Sequence, residues 1–493
     1  MISLLLAACA LPGDADTDAP VLLPPPERHV GELALLPAGT PLDDATDLTE
    51  RFRRFGAARP PSDRFSSGIA HARKPPKSTQ RAGWFEVRMP SGAPITTPVV
   101  HADVVLASGG FHGEQVYAYA HGSGAPLWGL DLSDDGPSTS ACEDGVCVFN
   151  TESCTVFAVD VRSGELLWSY YLGDPQMSAP SVSRGLAYTS YPAWGPSGAT
   201  HVLAAFDLHT GMLRWQTWLD GDVMSAPVIA DGELFVTTFA GTVARLDPDT
   251  GAVKGAWAAK ATSAPVVMGD AVWFSRRVEG RDGVMEALAG AGASGVDPLL
   301  VARPAPWLDA RVQSRTSMYA EGMALDAGNG FGMGAPIEAG AENAMALVGR
   351  SSVSMLQSFQ GSRPLPWKGL QISTMGDEIV GVDILTGVPR WTHVLPGNVS
   401  TSGGSLGTAP LAAGEHVLVG TLEGEILVLD PEDGRLVKTY GIGHPVRSQP
   451  VVHDGWIYVG TTDGRLIGVD TGDPSITGWS QWGGDGARTG TPG

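Results

Sequence analysis

An all-β propeller of eight four-stranded antiparallel blades is the fold this sequence predicts, and three observations predict it. The first is a small residue, a spacer and usually a proline, written eight times ahead of a strand signal. The copies are Thr96-Thr97-Pro98, Ser140-Ala141-Cys142, Ser178-Ala179-Pro180, Ser225-Ala226-Pro227, Ser263-Ala264-Pro265, Ser362-Arg363-Pro364, Thr408-Ala409-Pro410 and Ser448-Gln449-Pro450. They recur at the spacing of a propeller blade, about 40–50 residues, except between Ser263 and Ser362, where the interval is roughly doubled. The second observation is an Asp-Gly hairpin signal soon after a copy, as at Asp231-Gly232, flanked by short β-branched and aromatic runs. The third is the near absence of helical periodicity. Only Asp43 to Phe55, acidic early and basic late, reads as a short helix, and it precedes the repeats.

The repeat from Ser225 to Gly251 justifies the elements in order. Two strands flank Asp231-Gly232, a second hairpin turns at Phe239-Ala240-Gly241, and the third strand ends in Asp247-Pro248-Asp249-Thr250-Gly251. Asp and Gly supply the turn geometry there, and a fourth strand leads into the next copy. Trp128, Trp168, Trp215 and Trp391 each fall four residues after a turn glycine. A Trp recurring on the outer strand suits a seam between blades, its ring buried and its N–H bonded; that packing role is preferred to a row of cofactor-stacking rings. Residues 82–90 read as an orphan outer strand that completes the last blade and closes the ring, which removes sheet edges. Within the long interval one blade is expected to close near Val284 to Leu288. An insertion follows at about 290–361, rich in Gly, Ala and Met (Met318, Met323, Met333, Met345, Met355), read as packing over one face of the ring.

The 493 residues carry 32 Lys and Arg against 53 Asp and Glu, a formal charge of −21. Nucleic acid is therefore not an expected partner, because its phosphates would be repelled. The start, ending in Leu6-Ala7-Ala8-Cys9, is similar to the lipobox of bacterial lipoproteins, in which the cysteine carries the lipid. It is shorter than a full signal and lacks a preceding Lys or Arg, so a true start further upstream is expected. The implied organisation is a signal segment at 1–8, a Pro- and Asp-rich tether at 9–81 and the propeller at 82–493. Cys9 is the lipidation residue and the lipid the only membrane contact. Cys142, Cys147 and Cys154 gather in the second repeat. Cys142 and Cys147 fall opposite each other across the Asp144-Gly145 hairpin, and a cross-strand disulfide is expected, with pairings to Cys154 left open.

Motifs of chemistry do not survive their context. Gly403-Gly404-Ser405-Leu406-Gly407 has the spacing of a nucleophile elbow, but a repeat start follows it where a helix is needed. Gly290 to Gly295 matches a dinucleotide fingerprint without the helix that receives the pyrophosphate. The histidines show no ligand spacing, and the Asp-rich segments at 247–251 and 430–434 recur as blade turns. No catalytic residue and no metal ligand is assigned.

The pattern Ser-Ala-Pro-Val-x-x-Asp-Gly followed by Val-x-x-Asp-x-x-Thr-Gly-x-x-x-Trp resembles the pyrroloquinoline-quinone-type propeller repeat. The segment from Trp479 through Trp482 to Arg488 and Gly490 resembles a stretch that often flanks such repeats. The resemblance covers about 82–290 and 362–490. Quinoprotein alcohol dehydrogenases of this superfamily carry an adjacent Cys-Cys disulfide and calcium ligands, and this chain has no Cys-Cys pair. No cofactor is therefore expected, quinone with calcium being disfavoured. The plan of lipobox, tether and eight blades is similar to the propeller lipoproteins of outer-membrane β-barrel assembly. That likeness implies a non-enzymatic scaffold, lipid-anchored at the periplasmic face of the outer membrane. Its expected partner is another envelope protein, bound through rim loops or the 290–361 insertion. The alternative is a quinone-dependent dehydrogenase or a small-molecule-binding propeller.

Overall fold

The computed structural model describes residues 46–57, 65–304 and 364–490, apart from short breaks within those ranges. Seven sheets share one plan, a four-stranded antiparallel meander whose strands pair in sequence order. Blades 1 to 4 begin with Val99–His101, Ala141–Glu143, Ser181–Ser183 and Val228–Ala230. They end with Pro126–Asp131, Leu166–Tyr171, Leu213–Leu219 and Val253–Ala258. Blades 5 and 6 run from Pro364–Trp367 to Pro389–Val394 and from Leu411–Ala413 to Leu436–Gly441. Blade 7 takes three strands from the C-terminal end, Val451–His453, Trp456–Gly460 and Arg465–Asp470, and its outer strand, Trp84–Arg88, from the other end of the chain. Glu86 of that strand forms an ion pair with Arg465.

The expectation of eight four-stranded blades is corrected to seven. The sheet at 266–304 departs from the plan. Ala271–Gly280 and Gly283–Gly292 form a hairpin of two ten-residue strands. The place of a single fourth strand is divided between Gly295–Val296 and Ala302–Pro304, both paired with Gly283–Gly292. The sequence supplies the reason. After Gly290 there is no Asp-x-x-Thr-Gly turn and no Trp four residues beyond it, so nothing begins an outer strand.

The hairpin turns form because their residues accept positive φ. Asp144 and Gly145 stand at 48° and 78°, and Asp231 and Gly232 at 50° and 75°. At the turn into the outer strand of blades 2 to 6 an Asp carboxylate (Asp160, Asp207, Asp247, Asp383, Asp430) binds the following backbone. Asp207 accepts from the Thr210 N–H at 3.0 Å and its hydroxyl at 2.8 Å; Asp383 does the same with Thr386 at 2.9 and 3.0 Å. The other carboxylate oxygen takes an arginine of the outer strand, Arg214 at 2.7 Å and Arg390 at 2.6 Å.

The first strands of neighbouring sheets contact one another, so they form the inner edge of the ring. The N-terminal residues lie on the outer edge. Thr46–Asp47 pairs with the last strand of blade 4, Ser66 bridges Tyr171 of blade 2, His71–Arg73 pairs with the last strand of blade 1, and Thr79–Arg81 pairs with Trp84–Arg88. Helix α1 (Thr49–Ala57) begins where Asp47 accepts the Thr49 N–H at 2.8 Å, and it buries Phe52 and Phe55 against blades 3 and 4. It lies two to six residues later than the helix read from sequence. Residues 46–57 and 65–81, assigned by composition to the tether, thus form an outer belt along blades 4, 3, 2, 1 and 7.

Candidate functional site: the inner ring and the blade seams

In four of the copies the recurring Ser or Thr hydroxyl meets the residue twelve positions later, on the second strand, whereas Ser448 Oγ donates to Ile95 O. Thr408 Oγ1 accepts the Gly420 N–H at 3.0 Å and Ser263 Oγ accepts the Ser275 N–H at 2.9 Å, while Thr96 and Ser178 reach the hydroxyls of Ser108 and Ser190 at 3.2 and 3.0 Å. In blade 2 the residue in this role is Ser138, which accepts the Asn150 N–H at 3.2 Å. The copy read as Ser140-Ala141-Cys142 is therefore displaced by two positions, and Cys142 is a strand residue rather than a replaced proline. Cys142 pairs with Cys147 across the hairpin, and the two form a disulfide. Cys154 lies outside the described residues.

The C-terminal segment runs across the inner edge. Successive first strands donate a backbone N–H to it or accept its contact. Gly478 bridges Ala413 of blade 6, and Trp479 O accepts from Val452 of blade 7 at 2.6 Å. Ser480 O accepts from Val100 of blade 1 at 2.7 Å, and Gln481 Oε1 from Cys142 of blade 2 at 3.2 Å. Gly486 O and Ala487 O accept from Val182 and Ile229 of blades 3 and 4 at 3.3 and 3.0 Å, and Thr489 O from Val267 of the irregular sheet at 3.4 Å. These donors would otherwise be orphaned along a buried edge. Trp482 packs on Ala179 and Ala226, which explains the small spacer in those two copies. Arg488, 1% exposed, stacks over Trp482 at 4.4 Å and donates to the carbonyls of Trp482 and Ser140 at 3.1 and 2.9 Å. Burial lowers its pKa to about 9, against the raising influence of Asp485.

At the seams each repeated Trp reaches into the next blade. The indole N–H groups of Trp128, Trp168, Trp215 and Trp391 donate to the carbonyls of Val161, Leu208, Pro248 and Pro431 at 2.9, 2.8, 2.8 and 2.9 Å. Their rings lie over the turn glycines Gly164, Gly211, Gly251 and Gly434, where an added Cβ would overlap the ring. Phe85 of the closing strand sits likewise between Gly468 and Gly124. Sequence reading missed Phe85 because it lacks the indole and is remote in the chain from the blade it completes. A second set of contacts spans the seams at the inner strands. Gly145 donates its N–H to His101 Nε2 at 3.2 Å, and the N–H groups of Arg184 and Gly185 donate to Glu143 at 3.0 and 2.8 Å. Burial, the largest influence, lowers the His101 pKa and so favours the neutral ring that accepts this bond.

At the seam of blades 7 and 1, His121, His453 and Asp454 converge, each offering one ligand atom with all three within 4.8 Å of one another. The two imidazoles meet edge to face at 4.9 Å. Among the described residues no other trio of His, Cys, Asp or Glu does this. The spacing rules applied to the sequence could not find it, since the histidines belong to the first and last blades.

Other sequence motifs resolve as structure. Ser405 Oγ donates to Gly407 O at 2.8 Å inside its own turn. Gly290 lies in a strand against the Trp273 ring. Cys9 and the Met cluster from Met318 to Met355 lie outside the described residues, as does most of the 290–361 insertion. The assembled trio of two histidines and one carboxylate is not the set of six to eight oxygen ligands that calcium takes.

Comparison with known proteins follows this architecture. The family model described as outer membrane protein assembly factor BamB matches residues 112–198, 197–298 and 375–490. No curated protein sequence matches the chain. Among solved structures, BamB from Moraxella catarrhalis is 15% identical, with a TM-score of 0.50 over 80% of this chain and 99% of that one. The computationally designed Ika8 protein is 15% identical, with a TM-score of 0.51 over 77% and 96%. A quinohemoprotein alcohol dehydrogenase from Pseudomonas putida HK5 is 12% identical, with a TM-score of 0.49 over 87% and 80%. At these identities BamB from Moraxella catarrhalis and the designed Ika8 protein show a shared fold. The family match spans more than half of the 493 residues, and the chain belongs to the BamB family of outer membrane protein assembly factors, built on a propeller of quinoprotein-type repeats.

Proposed function

We propose that this protein is a cell-envelope scaffold that holds another envelope protein, with outer-membrane protein assembly as its setting. The observation that carries the reading is where the outer belt stops. It covers the outer edges of blades 4, 2, 1 and 7, whereas among the described residues no strand pairs with the outer edges of blades 5 and 6. Beside those edges stand Leu385 (91% exposed), Val394, Leu436 and Val437. An open edge flanked by exposed apolar side chains is the surface to which a partner adds an extended segment. The rim turn at 383–386 would flank that segment. Family membership supports the envelope setting, and a lipid on Cys9 would keep the scaffold at the membrane.

The test is crosslinking in envelope membranes with a photoreactive residue at Val394 or Leu436. A crosslinked envelope protein, reduced at least tenfold in a Leu385→Asp/Val437→Lys variant of unchanged circular dichroism, is the expected result. Undiminished crosslinking in that variant would remove blades 5 and 6 from the interface. Absence of any partner would remove the scaffold reading itself. Lipid attachment is tested separately, by labelled-palmitate incorporation that Cys9→Ala abolishes.

A further inference from the structure

We propose that His121, His453 and Asp454 bind a divalent transition-metal ion that clasps the last blade of the ring to the first. Two imidazole nitrogens and a carboxylate are the donor set of zinc, nickel or copper sites rather than of calcium or magnesium. The three ligand atoms lie within 4.8 Å of one another, and a fourth donor stands close by: Asp103 Oδ1 is 3.9 Å from His453 Nε2, and Asp454 Oδ2 is 3.7 Å from it. Both carboxylates are largely exposed, at 76% and 70%, so they swing to a metal at little cost, whereas the imidazoles are held.

The hold on His121 is the second observation. Its Nδ1 lies 2.7 Å from Tyr458 Oη, which also accepts the Gly122 N–H at 3.0 Å. That contact engages Nδ1 and leaves Nε2 as the nitrogen available to a metal. Metal-bound histidines are oriented in this way by a partner on the other nitrogen.

The position of His453 sharpens the contrast with a packing role. Val99-Val100-His101 and Val451-Val452-His453 occupy the same place in their blades. His101 accepts a turn N–H from the next blade, and this inner-seam contact is complete without a metal. His453 instead faces a second imidazole and two carboxylates.

The experiment is titration of Zn²⁺ into the full-length, chelator-treated protein by calorimetry, with thermal melting alongside. One ion per chain with a dissociation constant of micromolar or tighter is expected, and a melting temperature that rises with zinc concentration. His121→Ala and His453→Ala should each weaken binding at least 100-fold, and Tyr458→Phe about 10-fold, while His101→Gln leaves it unchanged. Apo melting separates lost ligands from lost folding. If the alanine variants do not fold, Co²⁺ absorption bands of the wild type that vanish in Asp454→Asn keep the site testable. No stoichiometric binding by the wild type, or equal binding by folded His121→Ala or His453→Ala, would overturn the assignment.

Discussion

The seam between blades 5 and 6 makes a sharp prediction about two residues on opposite sides of it. The Trp391 ring is 8% exposed, lies between Gly381 of its own blade and Gly434 of the next, and donates to Pro431 O. Trp391→Ala should cost about 3–5 kcal/mol, the range for an aromatic deleted from a core. Gly434 stands at φ +70°, and a Cβ there would overlap the Trp391 ring. Gly434→Ala therefore carries two costs, about 1–2 kcal/mol for a left-handed non-glycine residue and about 1–3 kcal/mol for overpacking. In the Trp391→Ala background the second cost disappears, because all three nearest atoms to that Cβ belong to the ring beyond its Cβ. The double variant should then be about 1–3 kcal/mol more stable than the sum of the single losses predicts. Urea unfolding followed by far-ultraviolet circular dichroism measures the cycle. Additivity within about 0.5 kcal/mol would refute the reasoning, since the ring would not then be what excludes a side chain at Gly434.

Further outcomes can be measured on the same preparation. Replacing both Cys142 and Cys147 with Ala should lower stability by about 2 kcal/mol, the loop-entropy contribution of so short a bridge, seen as a lower urea midpoint; an unchanged midpoint would mean the hairpin is already ordered in the unfolded chain. Asp207 is held down to a pKa of about 2 by the Thr210 hydroxyl, Arg214 and the Thr210 N–H, in that order. A carboxylate with a depressed folded-state pKa contributes stability above its ordinary pKa of 3.8 and loses it as pH falls through about 2. Asp207→Asn should therefore destabilise at pH 7 and converge with the wild type near pH 2 in thermal melts. Trp482→Ala, which empties the contact with Ala179 and Ala226, should cost about 3–5 kcal/mol and expose inner-edge amides of blades 2 to 4 to hydrogen exchange. Protection unchanged at Val182 and Ile229 would detach the C-terminal segment from that role.

Much of the fold is legible in the sequence because its signals are local. Asp-Gly turns, the Asp-x-x-Thr-Gly turn and the Trp four residues beyond it each act within a few positions, and each repeats. Phe85, the tyrosine behind His121, and the shifted frame at Ser138 were not legible for one shared reason. Their meaning comes from a residue that only folding brings near, and in blade 2 a Ser140-Ala141 pair imitates the motif two positions late. Blade number failed at the one place where periodicity had to be extrapolated. Between Ser263 and Ser362 the chain has length enough for a further blade but lacks the turn and Trp that would build its outer strand. The docking of residues 46–57 and 65–81 was not legible in composition because strand pairing uses backbone groups, which composition does not record.

The two belts set an order of assembly. The strand at 84–88 emerges about 380 residues before its partner at 465–470, and the inner segment at 476–490 follows later still. Until then blade 7 has no outer strand, and the inner edges of blades 1 to 4, 6 and 7 lack their cover. Contacts this distant in sequence form slowly, and unpaired strands are the species that aggregate. Closure consequently waits for the last repeat, and the growing chain needs protection until it emerges. In a circular permutant opened between two blades, with a linker carrying residue 490 into residue 79, blade 7 should complete its sheet before the final blade is made.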